Sequence, residues 1–240
     1  DVFCGGFVVT LNQQDISRLL TLFRQRRFDM VIKTVLPLLK KHRKVPGLHD
    51  LAGAAFAATG ETARAERHLA EALRLAPDLD SARHNLGNLY FQTGRFELAA
   101  TQFRAFLARQ PEDRSARQKL GECCLKSGQA DEAAACFREL VAQDETDINA
   151  RFCLGSAYRA RQQNDAACAC FEAVLEQDAD HVDAIFNLGN ICRDTDRPDD
   201  ALAFYERALA LRPGHVSTMC NIGLCHVHCG ALATGASWFA

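Results

Sequence analysis
From residue 80 to 113 the apolar side chains fall at helical spacing. Ala82, Leu86, Leu89 and Tyr90 recur at i, i+4, i+7 and i+8, which is one stripe of a helix. Thr93-Gly94 interrupts the stripe. Leu98, Ala99, Phe103, Phe106 and Leu107 then start a second one, which Pro111 closes. The pattern predicts two helices joined as a hairpin, and it repeats. Glycine stands at 53, 87, 121, 155, 189 and 223, each 34 residues after the last. Twelve residues after these come Ala65, Ala99, Ala133, Ala167, Ala201 and Gly235; sixteen after come Leu69, Phe103, Phe137, Phe171, Tyr205 and Phe239. A glycine inside a helix costs about 1 kcal/mol relative to alanine, so its recurrence implies close packing. The missing side chain is expected to face the small residue twelve positions on, with the aromatic filling the space between units.

No insertion breaks this register from Pro46 to Ala240. It divides the chain into a tail (1–11), a degenerate helix pair acting as an N-terminal capping unit (12–45), five full units (46–79, 80–113, 114–147, 148–181, 182–215) and a truncated one (216–240). In 12–45, Leu19, Leu20 and Leu22, then Phe28, Val31, Val35 and Leu38, trace two amphipathic helices, with Pro37 expected to kink the second.

The spacing and residues resemble the tetratricopeptide repeat family, whose pattern has Leu-Gly at repeat positions 7–8, Tyr at 11, Ala at 20, an aromatic at 24, Ala at 27 and Pro at 32. Unit 80–113 carries Leu86-Gly87, Tyr90, Ala99, Phe103 and Pro111; unit 182–215 carries Leu188-Gly189, Ala201, Tyr205, Ala208 and Pro213. The aromatic of position 4 is replaced by His49, Arg83, Arg117, Arg151, Ile185 and Met219, and position 11 drifts to Cys124, Cys192 and His226, which predicts looser packing there. The strict period of 34 disfavours the 35-residue helical repeats that read RNA. The resemblance implies an all-α fold: a right-handed superhelical solenoid of antiparallel helix pairs, its concave wall built from the first helix of each unit.

On that wall the resemblance places His84, Asn85, Asn88 and Phe91, then Lys119 and Lys126, Phe152 and Arg159, Phe186, Asn187, Asn190 and Arg193, and last Asn221. These are the candidate partner-binding residues. Primary amides carry donors and an acceptor, so a row of them can hold an extended peptide backbone. The row resembles the asparagine ladder in the repeat arm of O-linked N-acetylglucosamine transferases, interrupted here by Lys119, Glu122, Cys153 and Ser156. Bonding within the stack is an equal alternative for the same amides. Lys126, Arg159 and Arg193 favour an acidic ligand segment, and Phe91, Phe152 and Phe186 supply apolar anchors. The clamp of two Lys, two Asn and an Arg with which chaperone-binding members hold a C-terminal carboxylate is not in register. Replacing Asn187 and Asn190 together by alanine is expected to weaken a partner about tenfold.

Composition narrows the function classes. With 48% hydrophobic and 24% charged residues the chain sits at the globular average. A net charge of −2 gives no overall attraction to nucleic acid or a membrane surface. The charge is uneven, +5 over residues 1–50 and −7 over the rest. The basic stretch lacks interleaved aromatics and reads as the solvated face of an end unit. From Pro213 to Ala240 there is no Lys, Arg, Asp or Glu. Asn221, His226 and His228 argue against a membrane span, and an uncharged half-unit predicts that the solenoid continues past Ala240. Eleven cysteines in a helical chain of this length suit reduced thiols and a cytoplasmic setting, and no basic segment precedes the apolar run Val2–Val9.

No phosphate loop, dinucleotide fingerprint, nucleophile elbow or His-Glu-x-x-His helix occurs. Cys225 and Cys229 share a helical face near His226 and His228, but the register buries Cys225 and diverges the others, so cysteine reads as a small hydrophobe. Cys136 and Cys170, at the same position of adjacent units, lack the basic neighbours an activated thiolate needs. No catalytic residue, cofactor or metal is expected. The sequence reading is a non-catalytic scaffold that binds a protein or extended peptide, acidic in part, with neither nucleic acid nor membrane as partner. The alternative, implied by resemblance alone, is the substrate-positioning arm of a sulfotransferase or glycosyltransferase whose catalytic domain lies beyond Ala240. Oligomeric state is left open.

Overall fold
The structure is a computed structural model that describes residues 12–238. The tail 1–11 with Cys4, and Phe239, lie outside the described residues. Among the described residues the chain is all-α, a helical solenoid of paired helices with no strand. The first pair is α1 (Gln13–Arg24) and α2 (Phe28–Lys41). Then follow α3 (Pro46–Ala58) with α4 (Thr62–Leu75), α5 (Asp80–Gln92) with α6 (Phe96–Leu107), and α7 (Arg114–Lys126) with α8 (Ala130–Gln143). The last are α9 (Ile148–Ala160) with α10 (Asn164–Gln177), α11 (Val182–Asp194) with α12 (Pro198–Leu211), and α13 (Val216–His228) with the short α14 (Leu232–Ser237). From α3 onward every first helix is 13 residues long and starts 34 residues after the previous one.

Two compact bodies divide at Ala116 and Arg117 and are described separately. In the first, each helix packs on the next from α1 to α6, and α3 also touches α5. One core runs through it, with Leu19, Val31, Val35, Phe56 and Leu69 fully buried. The degenerate pair therefore shares its apolar face with the regular pairs and keeps its charges outside. Pro37 lies within α2 on the exposed side. In the second body the same succession runs from α8 to α14, with α9 touching α11. Its cores centre on Phe171, Val174 and Ile191, and on Tyr205, Ile222 and Cys225.

The recurring glycine has a second close neighbour besides the one its spacing implied. A Cβ on Gly155 would stand 2.8 Å from the Phe171 ring, one on Gly189 2.6 Å from Tyr205, and one on Gly121 2.7 Å from Phe137. On Gly53 it would meet Leu69 Cγ at 2.5 Å. The glycine thus receives the side chain sixteen positions on, within its own pair. The aromatic closes the hairpin and, as its spacing implied, also packs against the next unit: Phe171 shares a core with Ala184, Leu188 and Ile191 of α11, and Tyr205 with Ile222 and Cys225 of α13. The residue twelve positions on approaches as well, through its backbone: the Cβ on Gly53 would stand 3.2 Å from the Ala65 carbonyl oxygen, and one on Gly235 2.9 Å from that of Gly223.

Position 4, where the family pattern has an aromatic, is used differently. Arg83 donates to the Pro77 carbonyl and Arg151 to the Glu145 carbonyl, each tying a first helix to the loop before it. Where Ile185 occupies the position, Arg207 of α12 donates to the corresponding Ala179 carbonyl. At position 11, Cys124 and Cys192 are buried, and His226 is half-buried.

Each hairpin turns through one left-handed residue. These are Arg26, Gly60, Gly94, Gly128, Gln162, Asp196 and Gly230, with φ between 56° and 81° and again 34 apart. The next N–H returns to the carbonyl five residues back in every case, from Arg27 to Leu22 through Ala231 to His226. A side chain in this conformation costs about 1–2 kcal/mol that glycine avoids, less what glycine's freedom takes back in the unfolded chain. Gln162→Gly is therefore expected to stabilise the second body by about 1 kcal/mol, read as a higher urea midpoint. An unchanged midpoint would mean that this turn carries no strain.

Candidate functional site
In the first body the candidate residues ride on α5. His84 packs edge-on against Phe103, ring centroids 5.9 Å apart, and tilts over Phe106 at 5.3 Å. Asn85 donates to Asp50 Oδ1 at 2.8 Å, and the same carboxylate accepts from Ser81 Oγ at 2.6 Å. Asp50 is buried, so those bonds replace its lost water and fasten α3 to α5. Asn88 contacts His84 Nδ1 at 3.1 Å, and Phe91 meets Phe96 edge-on at 5.8 Å.

The second body carries the rest. Lys119 is half-buried and Lys126 exposed on α7. On α9, Phe152 packs against Phe171 at 5.6 Å and His181 at 5.1 Å. Phe186 of α11 repeats this against Tyr205 at 5.8 Å and His215 at 5.4 Å. Both phenylalanines are half-buried, one ring face spent on the stack. Arg159 is also half-buried and makes no hydrogen bond or ion pair with the described residues. Asn187 donates to the Asp183 carbonyl at 2.7 Å; that acceptor fixes which end of the amide is the nitrogen and leaves Oδ1 unbonded.

Asn190, Tyr205, Asn221 and Arg193 form one network. The fully buried Tyr205 hydroxyl donates to Asn190 Oδ1 at 2.8 Å, and Asn221 Nδ2 donates to the same oxygen at 2.9 Å. Arg193 donates to Asn221 Oδ1 at 3.0 Å and to Asp194 Oδ1 at 2.7 Å. Burial pushes the Tyr205 hydroxyl up to about 12, so it stays a donor. Asn190 is only 5% exposed. Within the first-helix amides, bonding within the stack holds at some residues and leaves one amide oxygen unbonded. Asn85, Asn190 and Asn221 bond across the stack, whereas Asn187 keeps an acceptor toward solvent. Removing Asn190 would strand a buried hydroxyl, so the binding test belongs to Asn187 alone.

The sequence reading missed Asp50, Tyr205, His181 and His215 as parts of this wall. A signal existed for two kinds. Tyr205 is the one tyrosine in a column of phenylalanines and needs a polar partner, and His181 and His215 recur 34 apart just before helix starts. A cavity of about 310 Å³ opens beside Arg193, walled by Pro198, Leu224, Val227 and His228.

Elsewhere burial, not charge, governs the thiols. It pushes Cys123 up to about 11 and Cys153 up to about 12, Glu122 adding to both. Cys168, Cys170, Cys192 and Cys225 are raised by the same cause. Thiols held protonated are poor nucleophiles. Among the described residues no three His, Cys, Asp or Glu side chains converge as a metal site would require, and no helix is long and apolar enough to cross a membrane.

A model of the tetratricopeptide repeat matches residues 51–100, 84–148 and 154–216, more than half of the chain. The chain belongs to the tetratricopeptide repeat family. Solved tetratricopeptide structures share the fold. YrrB, described as having an unusual peptide-binding site, superposes with a TM-score of 0.66 at 24% identity over 77% of this chain and 95% of its own. A tetratricopeptide repeat protein from Parabacteroides merdae gives 0.70 at 14% identity over 95% and 90%. MamA from Desulfovibrio magneticus gives 0.64 at 20% over 71% and 96%. No curated protein sequence matches the chain.

Proposed function
We propose that this tetratricopeptide chain is a non-catalytic, cytoplasmic scaffold that binds an extended segment of a partner protein on the first-helix face of its second body. One observation carries the reading: Asn187 keeps an unbonded amide oxygen on α11, the helix that also carries Phe186 and the Arg193 of the cavity wall. An extended peptide offers what that wall lacks, a backbone N–H for Asn187 and an apolar side chain for the cavity. Arg159, unpaired among the described residues, favours a carboxylate in the same segment; Arg193 contributes less because Asp194 already neutralises it. Phe152, with Lys119 and Lys126 on α7, belongs to the same body, whereas His84, Asn85, Asn88 and Phe91 are proposed as a separate contact on the first. The peptide-binding site named for YrrB is consistent with such use of this fold.

The test is selection from a displayed library of extended peptides, followed by titration against the full chain. Asn187→Ala is expected to weaken the selected peptides about tenfold, roughly 1.4 kcal/mol, with an unchanged urea midpoint. Unchanged affinity would place the site on another face.

A further inference from the structure
In the first body the seam between α3 and α5 is closed by a polar clamp at three repeat positions. Asp50 of α3 accepts from Ser81 at 2.6 Å and from Asn85 at 2.8 Å on α5. One unit earlier, 34 residues back, the same positions hold Ile16 on α1 with Gly47 and Leu51 on α3. Those side chains carry no donor or acceptor and cannot form the clamp. The seam between α1 and α3 stands open instead, as a cavity of about 320 Å³ walled by Ile16, Leu19 and Leu20 on one side and by Leu48 and Leu51 on the other. A Cβ on Gly47, also in its wall, would meet nothing within 4 Å. Ile16 is 37% exposed and Leu20 39%. No cation stands in the wall, and its one carboxylate, Asp50, is already spent on Ser81 and Asn85.

Such a seam asks for an apolar occupant, and the chain carries one at the seam's own edge. Residues 1–11 hold Val2, Phe3, Phe7, Val8, Val9 and Leu11, with Asp1 as their one charged side chain. Phe7, Val9 and Leu11 alternate with Val8 and Thr10, so an extended segment carries all three on one side. This tail joins α1 at Asn12, whose backbone is extended (φ −71°, ψ 133°). Ile16 follows one turn later, its N–H on the Asn12 carbonyl. From Asn12 back to Phe7 an extended chain spans about 17 Å, more than the roughly 8–10 Å between the axes of packed helices. Phe7 can therefore reach across from α1 to α3. A tethered segment also docks at a high effective concentration and is spared the loss of translational freedom that a separate partner incurs.

We infer that the tail 1–11 closes this seam, with Phe7, Val9 and Leu11 packing on Ile16, Leu20 and Leu51 as an extended segment laid across α1 and α3. The tail does for α1 and α3 what Asp50 does for α3 and α5, with apolar contact in place of hydrogen bonds.

The experiment uses the full chain, deuterated except at isoleucine δ1 methyls and phenylalanine rings. A nuclear Overhauser effect between the Ile16 methyl and the Phe7 ring is expected, assigned by its loss in Phe7→Leu. Gly47→Leu fills the open side of the seam without displacing a packed side chain, so it should abolish that effect and leave the helical circular dichroism unchanged. Chymotrypsin gives an independent readout. Cleavage after Phe7 should run about tenfold faster in Gly47→Leu than in the unaltered chain, because it follows the undocked fraction. Equal cleavage rates, or no contact between Ile16 and Phe7 in the unaltered chain, would overturn the inference. So would a contact seen only between differently labelled chains in a mixed sample, which would assign the seam to the tail of a second copy.

Discussion

Truncating Phe171 to alanine is expected to destabilise the second body by about 3–5 kcal/mol, the range for emptying a fully buried aromatic site. Its ring is 0% exposed and fills the recess that Gly155 leaves in α9. The converse change shares the same cause. Gly155→Leu puts a Cβ 2.8 Å from a ring that has no free space to yield, and the branched end must go further still. Overpacking of this kind costs about 1–3 kcal/mol or more, against about 1 kcal/mol regained from helix propensity. The two changes together exchange volume across one contact, so the double variant should lose about 2 kcal/mol less than the sum of the singles. Urea unfolding followed by tryptophan-independent circular dichroism measures all three. Strict additivity would mean that glycine and aromatic recur 34 apart for unrelated reasons.

The period was readable because every helix pair solves the same packing problem, and a residue type that costs stability at one helical site is visible when it returns on schedule. What the period could not show was how each of two later residues meets the glycine. Twelve and sixteen positions on both lie on the facing side of the second helix; the first approaches with its backbone, and the second fills the recess with its side chain. The hairpin turn was half legible. Gly60, Gly94, Gly128 and Gly230 mark it, while Arg26, Gln162 and Asp196 adopt the same φ with no compositional sign. Arg26 is the informative one: it stands 34 residues before Gly60 and shows that the degenerate pair turns as its successors do.

The wall residues were legible as positions and illegible as partners. Asn85 and Asn221 occupy the same repeat position, yet one donates to Asp50 and the other to Asn190, 35 and 31 residues earlier. Asn187, again at that position, turns back to its own helix at Asp183. The acceptor an amide finds depends on which neighbouring helix happens to carry one, and a single unit's pattern holds no record of it. Charge was legible in the same partial way. Arg193 and Arg159 are equivalent in register, but an aspartate at 194 neutralises the first and Ala160 follows the second.

Asn190→Ala is expected to cost about 2–3 kcal/mol, because it leaves the Tyr205 hydroxyl buried without its acceptor and removes a partner of Asn221. Tyr205→Phe alone should cost about 1 kcal/mol, since Asn190 Oδ1 still accepts from Asn221 and the ring still fills the recess at Gly189. In the double variant no hydroxyl remains to be stranded, and the loss should fall short of the sum by about 1–2 kcal/mol. Repeat proteins open by neighbouring pairs and not always as a whole, so the sharper readout is hydrogen exchange of amides in α11, α12 and α13. Their protection should drop together in Asn190→Ala and recover in part when Tyr205→Phe is added. Independent effects would reduce the network to coincident contacts and return Asn190 to the set of residues available for a ligand. Coupled effects make it a support instead: it holds α11 against α13 and so sets where Phe186, Asn187 and the cavity beside Arg193 stand relative to one another. A partner lost on mutating Asn190 would then be lost through that geometry, whereas one lost on mutating Asn187, with stability intact, would be lost through the contact itself.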